Sequence, residues 1–274
     1  MVQPVFRFAP SPNGRLHLGH AYSALLNAEM ARSCGGRLLV RIEDIDRQRC
    51  KPEHVTSALE DLHWLGLEFE RPVLFQSERF PDYRDAIARL MELQLLYVCT
   101  CTRQHLAHQS SPHVDPEGQP IYPGTCRRIA HHFAITSALR LRMDQAVKLA
   151  MQMTGGPVCW REKGKEHIAD PTAWGDVVLA RKDIGTSYHL AVVIDDAFQG
   201  VTHVVRGEDL FHATAIHRVL QVLLELPEPD YHHHALLRHG TGRKLSKSRA
   251  DESLADLRAS GISAAEIRAQ LGIA

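Results

Sequence analysis

"RFAPSPNGRLHLGH" (residues 7–20) decides how the rest of the chain is read. It overlaps "VFRFA" (5–9), whose alternating apolar residues predict a strand. "PSPNGR" then breaks that strand with two prolines and a glycine. "LHLGHAYSALLNAEMARS" follows with a helical pattern that ends at Gly35-Gly36. A strand that turns through a Pro/Gly loop into a helix leaves free backbone N–H groups at the helix start. Together with the helix dipole they suit a phosphate. His17 and His20 are three residues apart, so they share one helical face beside that start and can hydrogen-bond a nucleotide's phosphates.

The same alternation continues outward. "RLLVRIED" (37–44) predicts a second strand, and "PEHVTSALEDLHWLGL" a helix with Pro52 in its first turn. Another helical stretch covers roughly 80–97. Strand, helix, strand, helix is the opening of a parallel α/β sheet, whose ligands bind at the strands' carboxyl ends. Residues 99–130 break the pattern with cysteines, prolines, glycines and histidines. From about 175, "DVVLARKD", "YHLAVVIDD" and "THVVRGED" are rich in β-branched residues and read as strands. "LFHATAIHRVLQVLLEL" (210–226) reads as a helix with an apolar face, and the tail after residue 250 as short helices. Trp64 falls on an apolar helical face and is assigned to the core, and "YHHHALLRHG" (231–240) is read as a partly exposed histidine surface.

Composition excludes several classes. With 44% hydrophobic and 23% charged residues in 274, the chain is an ordinary globular protein of one large or two modest domains. No run of 18 apolar residues occurs, so no membrane span is expected. The N-terminus lacks a basic stretch leading into an apolar core, so a secretion signal is not expected either. That points to the cytoplasm and to reduced cysteines, for which grouping means metal more than disulfide. Net charge is zero, but it is unevenly spread. Residues 43–85 carry 11 acids against 6 bases, 127–165 carry 8 bases against 2 acids, and 238–249 carry 5 bases and no acid. The later segments can face phosphates.

The last basic segment contains "GRKLSKS" (242–248), two lysines among small polar residues. Lys244 and Lys247 can neutralise charge developing on a triphosphate. On this α/β pattern and in this order, "HLGH" and "KLSKS" resemble the HIGH and KMSKS signatures of class I aminoacyl-tRNA synthetases. "RFAPSPNGRLHLGHA", "RIEDID", "LHWLGLEFE", "LAVVIDDAFQGVTHVVRGEDL" and "GRKLSKS" further resemble, in order, the catalytic core of the glutamyl-tRNA synthetases. The resemblance covers nearly the whole chain. It implies a Rossmann-like parallel-sheet domain at 1–77 and 187–240. An acceptor-type module is inserted at 78–186, with the KMSKS-type loop and short helices at 241–274. His17, His20, Lys244 and Lys247 are then the catalytic and ATP-binding residues, with Mg²⁺ accompanying ATP.

The amino-acid pocket is also readable from chemistry. Glutamate carries two carboxylates and an ammonium, so its site needs cationic donors and an anion. Arg7 and Arg206, at strand ends, can supply the donors, and Glu43 can take the ammonium. Ser11 offers a hydroxyl and Tyr188 a wall or hydrogen bond. These positions, with Phe8, Ala9 and Pro10, match the family's glutamate-binding positions; which arginine holds which carboxylate stays open. Cys99 and Cys101 in "CTC", followed by Cys126, supply three thiolates for a tetrahedral structural zinc site. On chemistry alone His105, His108 and His113 compete for the fourth place, whereas the family's C-x-C and Y-x-x-x-C pattern puts Tyr122 there. Cys34, Cys50 and Cys159 are read as packing residues.

Only 26 residues follow Ser248, too few for the helical anticodon-binding region of full glutamyl-tRNA synthetases. The expectation is a core with no anticodon-binding domain. It resembles the stand-alone glutamyl-Q tRNA(Asp) synthetases, a monomer being expected. That family activates L-glutamate with ATP without tRNA and transfers it to queuosine in the anticodon loop of tRNA(Asp). Three alternatives stand beside it: a compact synthetase charging tRNA(Glu), a retired paralogue binding RNA or amino acid, and another nucleotidylyltransferase of the same fold.

Overall fold

The computed structural model describes residues 3–102, 104, 106, 113–129, 137–237 and 252–273. Among them ten strands follow in chain order: β1 (Val5–Phe8), β2 (Arg37–Ile42), β3 (Leu74–Phe75), β4 (Leu96–Cys99), β5 (Ala138–Leu141), β6 (Cys159–Glu162), β7 (Lys165–Ile168), β8 (Val178–Ala180), β9 (His203–Gly207) and β10 (Asp230–His234). The chain divides into two compact units. One holds Met1–Glu78, Gly200–Leu210 and Pro229–Ala274; the other holds Arg79–Gln199 and Phe211–Glu228.

In the first unit the sheet runs β3-β2-β1-β9-β10, every neighbouring pair parallel. The order reverses between β1 and β9, which makes the carboxyl ends of those two strands the switch point where such sheets bind ligands. Register fixes which side chains share a face: Arg7 pairs with Leu39, Phe6 with His203, and Arg206 with His233. By alternation, Phe6, Phe8, Leu38, Val40, Ile42 and Val205 point one way. They are buried with Ala21, Ala24 and Leu25 of helix α1 (Leu18–Ser33) and Leu62 of helix α2 (Pro52–Trp64). Each fully buried aromatic or aliphatic side chain there contributes about 1.5–3 kcal/mol of transfer free energy. Trp64 packs against the same cluster, as expected. The opposite face carries Arg7, Arg41, Arg206, Tyr231 and His233.

The loops explain the glycines. Gly36 has no room for a side chain, since a Cβ would lie 2.8 Å from the Pro4 carbonyl oxygen. Arg37 donates to that same oxygen at 2.8 Å, which starts β2 in register. The C-terminal helices Leu254–Ala259 and Ala264–Leu271 close the unit, with Leu254 and Ile267 in its core.

One buried acid costs stability. Asp61 on α2 is fully buried, with Arg258 Nη2 3.5 Å from Oδ1. Burial outweighs that cation and pushes the Asp61 carboxyl up to about 6 from 3.8. The folded state therefore holds this proton more tightly than the unfolded chain. Stability from this group is full below about pH 4 and lost as pH rises through about 6. The loss amounts to about 3 kcal/mol. Asp61→Asn, neutral and nearly isosteric, should regain about 2–3 kcal/mol at pH 7.5 and nothing at pH 4. Urea unfolding at the two pH values measures this, and equal effects at both would remove the explanation.

In the second unit β4-β5-β8 form an antiparallel sheet and β6-β7 a hairpin. The sequence predicts strand over "YHLAVVIDD", but the structure has a helix at Tyr188–Phe198. Leu190–Val193 is a continuous buried run, and such a run has no period to separate strand from helix. What settles it is packing: the fully buried Asp195 accepts from Tyr83 Oη at 2.6 Å and Arg79 Nε at 2.8 Å, joining this helix to α3 (Phe80–Glu92). The predicted helix over 80–97 likewise stops at Glu92, and Leu96–Cys99 is strand β4.

Candidate active site

The "HLGH" stretch forms a reciprocal cap at the start of α1. His17 is the N-cap, its Nδ1 accepting from Gly19 N at 3.1 Å, while His20 Nδ1 accepts from His17 N at 3.2 Å. Histidines thus take the places that Ser/Thr and Glu/Gln hold in the usual capping box. Accepting at Nδ1 leaves the proton of each neutral ring on Nε2. Both imidazoles, 3.9 Å apart between ring centres, are therefore set as Nε2–H donors.

Gly19 keeps this arrangement open, since a Cβ there would meet His17 Cε1 at 3.0 Å and Nδ1 at 3.1 Å. Gly19→Ala should gain about 1 kcal/mol of helix propensity and lose about as much by disturbing the cap. The expected outcome is an almost unchanged melting temperature with an ATP KM raised roughly tenfold, as for loss of one well-placed hydrogen bond. An unaltered ATP KM in the folded variant would show that His17 tolerates the added methyl.

Four charged groups share the second face of the parallel sheet toward its carboxyl ends. Arg7 on β1, Arg41 on β2 and Arg206 on β9 are all buried. Glu43 lies just past β2, its Oε1 3.3 Å from Arg41 Nη2, and its N–H donates to Pro10 O at 3.0 Å. That backbone bond ties the loop after β1 to the loop after β2. Ser11 Oγ and Cys50 Sγ are 4.0 Å apart, and Cys50 Sγ lies 3.8 Å from Glu43 O. Three buried guanidinium groups are the cationic donors of this face, and carboxylates flank them at the strand ends: Glu43, Asp44 and Asp46 after β2, Glu208 and Asp209 after β9. Phe8 turns its side chain into the core, so only its backbone faces this side. Arg41 was missed from sequence; its signal is a charge interrupting the otherwise apolar interior of "LLVRI".

The histidine-rich strand needs a correction. His233 and His234 are buried, not part of an exposed surface, and His233 accepts from Arg206 Nε at 3.2 Å. Past this strand, Lys244 and Lys247 lie outside the described residues. Ser253 bridges to His17, and Leu254 N donates to Leu16 O at 2.8 Å. Tyr188 belongs to the second unit, where its ring lies 5.6 Å from His217 and 5.8 Å from His189. His189 Nδ1 and His217 Nε2 are 3.1 Å apart.

A second cluster stands in that unit. The Sγ atoms of Cys99, Cys101 and Cys126 lie within 4.8 Å of one another and could hold a metal ion. Cys101 and Cys126 are 3.6 Å apart, and Tyr122 Oη is 3.6 Å from Cys99 Sγ and 3.7 Å from Cys101 Sγ. Four donors at about 2.3 Å from a tetrahedral ion would be about 3.8 Å apart, close to these edges. Burial raises Cys101 to about 11. At Cys126 burial acts the same way, but hydrogen bonds from Tyr122, Thr100 and Cys101 outweigh it and bring the thiol down to about 5. Arg140 donates to Cys99 Sγ at 3.3 Å and stacks over the Tyr122 ring at 3.8 Å. His113 is exposed and outside the group, while His105 and His108 fall outside the described residues. Of the cysteines read as packing residues, Cys34 is exposed instead.

Comparison with known proteins bears on these features. The family described as tRNA synthetases class I (E and Q), catalytic domain, matches residues 4–266. The chain belongs to this family. As a class I tRNA synthetase it is a ligase built on a Rossmann-like parallel sheet. Glutamyl-Q tRNA(Asp) synthetase of Rhodobacter capsulatus is 50% identical, over 98% of this chain and 100% of that protein. The protein of the same name from Symbiobacterium thermophilum is 41% identical, over 94% of this chain and 82% of the other. Glutamate-tRNA synthetase from Elizabethkingia anophelis superposes with a TM-score of 0.72 at 26% identity, over 90% of this chain and 53% of that one. The synthetase thus spans about half the length of that solved structure. Among the described residues no helix is long and apolar enough to cross a membrane.

Proposed function

We propose that the enzyme activates L-glutamate with ATP in the absence of RNA and transfers it to queuosine in the anticodon loop of tRNA(Asp). The observation that carries the first half is the gathering of Arg7, Arg206 and Glu43 on one sheet face at the strand ends. The second half is supported by the names of relatives up to 50% identical.

A carboxylate oxygen of glutamate attacks the α-phosphorus of ATP, and the bond to pyrophosphate breaks. The protein's part is positioning and charge stabilisation. Arg7 and Arg206 hold carboxylate oxygens and Glu43 the ammonium. Ser11 and the backbone of Phe8, Ala9 and Pro10 line the amino acid. The Nε2–H groups of His17 and His20 donate to phosphate oxygens, and Lys244 and Lys247 take the charge of the leaving pyrophosphate. Mg²⁺ enters with ATP. A hydroxyl of the queuosine ring then attacks the glutamyl carbonyl, AMP departs, and the hydroxyl proton passes to solvent. Cys99, Cys101, Cys126 and Tyr122 fit zinc, whose role is to fix the chain where little apolar core exists.

The chain's likeness to a glutamate-tRNA synthetase structure favours a second reading, charging of tRNA(Glu). Glutamate-dependent ATP–pyrophosphate exchange without RNA, followed by labelling of tRNA(Asp) with and without queuosine, separates the two. Exchange without RNA and label on queuosine-bearing tRNA(Asp) alone is the expected result. Exchange that needs tRNA(Glu), with label at its 3′ end, would establish the second reading. No exchange at all would indicate a retired enzyme.

A further inference from the structure

The binding reading leaves one buried histidine unused. His233 is the register partner of Arg206 on the adjacent parallel strand, so both side chains rise from the same face. Arg206 Nε donates to His233 Nε2 at 3.2 Å, and both residues are more than nine-tenths buried. Arg206 Nη2 donates to Leu210 O at 3.3 Å. The aromatic ring of Tyr231 lies parallel to the His233 ring, 6.0 Å away, and 5.4 Å from the Arg206 guanidinium carbon.

We propose that His233 is a positioning residue for glutamate binding, its Nε2 lone pair fixing the plane in which the Arg206 guanidinium is presented to the amino acid. The inference rests on the reading that Arg206 binds glutamate. A guanidinium presents its five N–H groups in one rigid plane, so fixing Nε fixes the direction of the rest. Leu210 O holds one edge of that plane and His233 another. Arginine cannot accept, so the neutral His233 ring must carry its proton on Nδ1, the tautomer opposite to that of His17 and His20. Histidine serves here because it places an uncharged acceptor inside the sheet's buried edge. A carboxylate in its place would form an ion pair with Arg206 and compete with the substrate for it.

The test compares His233→Leu, His233→Gln and Arg206→Ala by glutamate-dependent ATP–pyrophosphate exchange. His233→Leu should raise the glutamate KM about tenfold, as expected for an uncharged acceptor lost from a charged donor. Its kcat and ATP KM should stay near wild type. His233→Gln, which can present a side-chain oxygen to Arg206 Nε, should restore most of the glutamate affinity. Imidazole ¹⁵N spectra of the wild-type protein give a readout that needs no variant: His233 Nε2 should resonate as an unprotonated nitrogen. A protonated Nε2, or a His233→Leu variant with wild-type glutamate KM while Arg206→Ala is impaired, would overturn the proposal. Equal impairment of Leu and Gln variants would do the same by reducing His233 to packing. An Arg206→Ala variant with wild-type glutamate KM would remove the pocket reading first and this inference with it.

Discussion

Arg206→Ala should reduce kcat/KM for glutamate by about 30-fold to several thousand-fold, the 2–5 kcal/mol typical of truncating one partner of a buried charge pair. Arg206 sits at the switch point of the parallel sheet, buried, with its Nε on His233 and one Nη on Leu210 O. Its guanidinium is therefore directed before any substrate arrives, and binding costs little side-chain entropy. On the proposed reading, alanine removes the charge that meets a substrate carboxylate and leaves that carboxylate without it. The loss should fall on glutamate KM first, with ATP KM little changed, since His17 and His20 are held by their own cap. Arg206→Lys should recover only part of the activity, because an ammonium is a point charge without the planar fork. Exchange kinetics at varied glutamate measure this. A variant that binds glutamate normally would show that the carboxylates are held elsewhere.

Loss of the zinc proposed for the cysteine cluster should have the larger structural effect. The purified protein is expected to carry one zinc per chain, and Cys126→Ser to lose it. Structural zinc sites supply about 10–16 kcal/mol in small modules, against roughly 5–15 kcal/mol for the stability of a typical domain. Residues 113–129 contribute few buried apolar side chains, so little else can replace that amount. Chelation or Cys126→Ser should therefore lower the melting temperature by more than about 10 °C. Tyr122→Phe tests the fourth position: it should weaken zinc retention while keeping the ring under Arg140 and much of the stability. Metal analysis and thermal melts decide this. Full zinc occupancy in Cys126→Ser would exclude the cluster as the site.

How much could be read in advance followed from how local each signal is. The first strand, loop and helix were legible because alternation, a Pro/Gly break and a capped helical period sit within about thirty residues. The cysteine cluster was legible because Cys-x-Cys and a later Cys have few structural uses in a reduced protein. Tyr188–Phe198 was not, because its buried run erases periodicity and its fate is set by Asp195 reaching α3, a contact over a hundred residues long in sequence. His233 was hidden for a related reason. A row of three histidines looks hydrophilic, and only the parallel register with β9 reveals that one of them faces a buried arginine.

The bridge between His17 and Ser253 has a consequence for Lys247 that holds whatever path residues 238–251 take. Lys247 is six residues from Ser253, counting 253 − 247. A fully extended chain spans at most ~3.6 Å per residue, so its Cα can never lie more than about 22 Å from that anchor beside the histidines. In the role proposed for it the lysine would be a tethered reagent, its effective concentration within that radius of millimolar order or above. A free amine or a separate peptide carrying the same lysine would have to reach that concentration in solution to replace it.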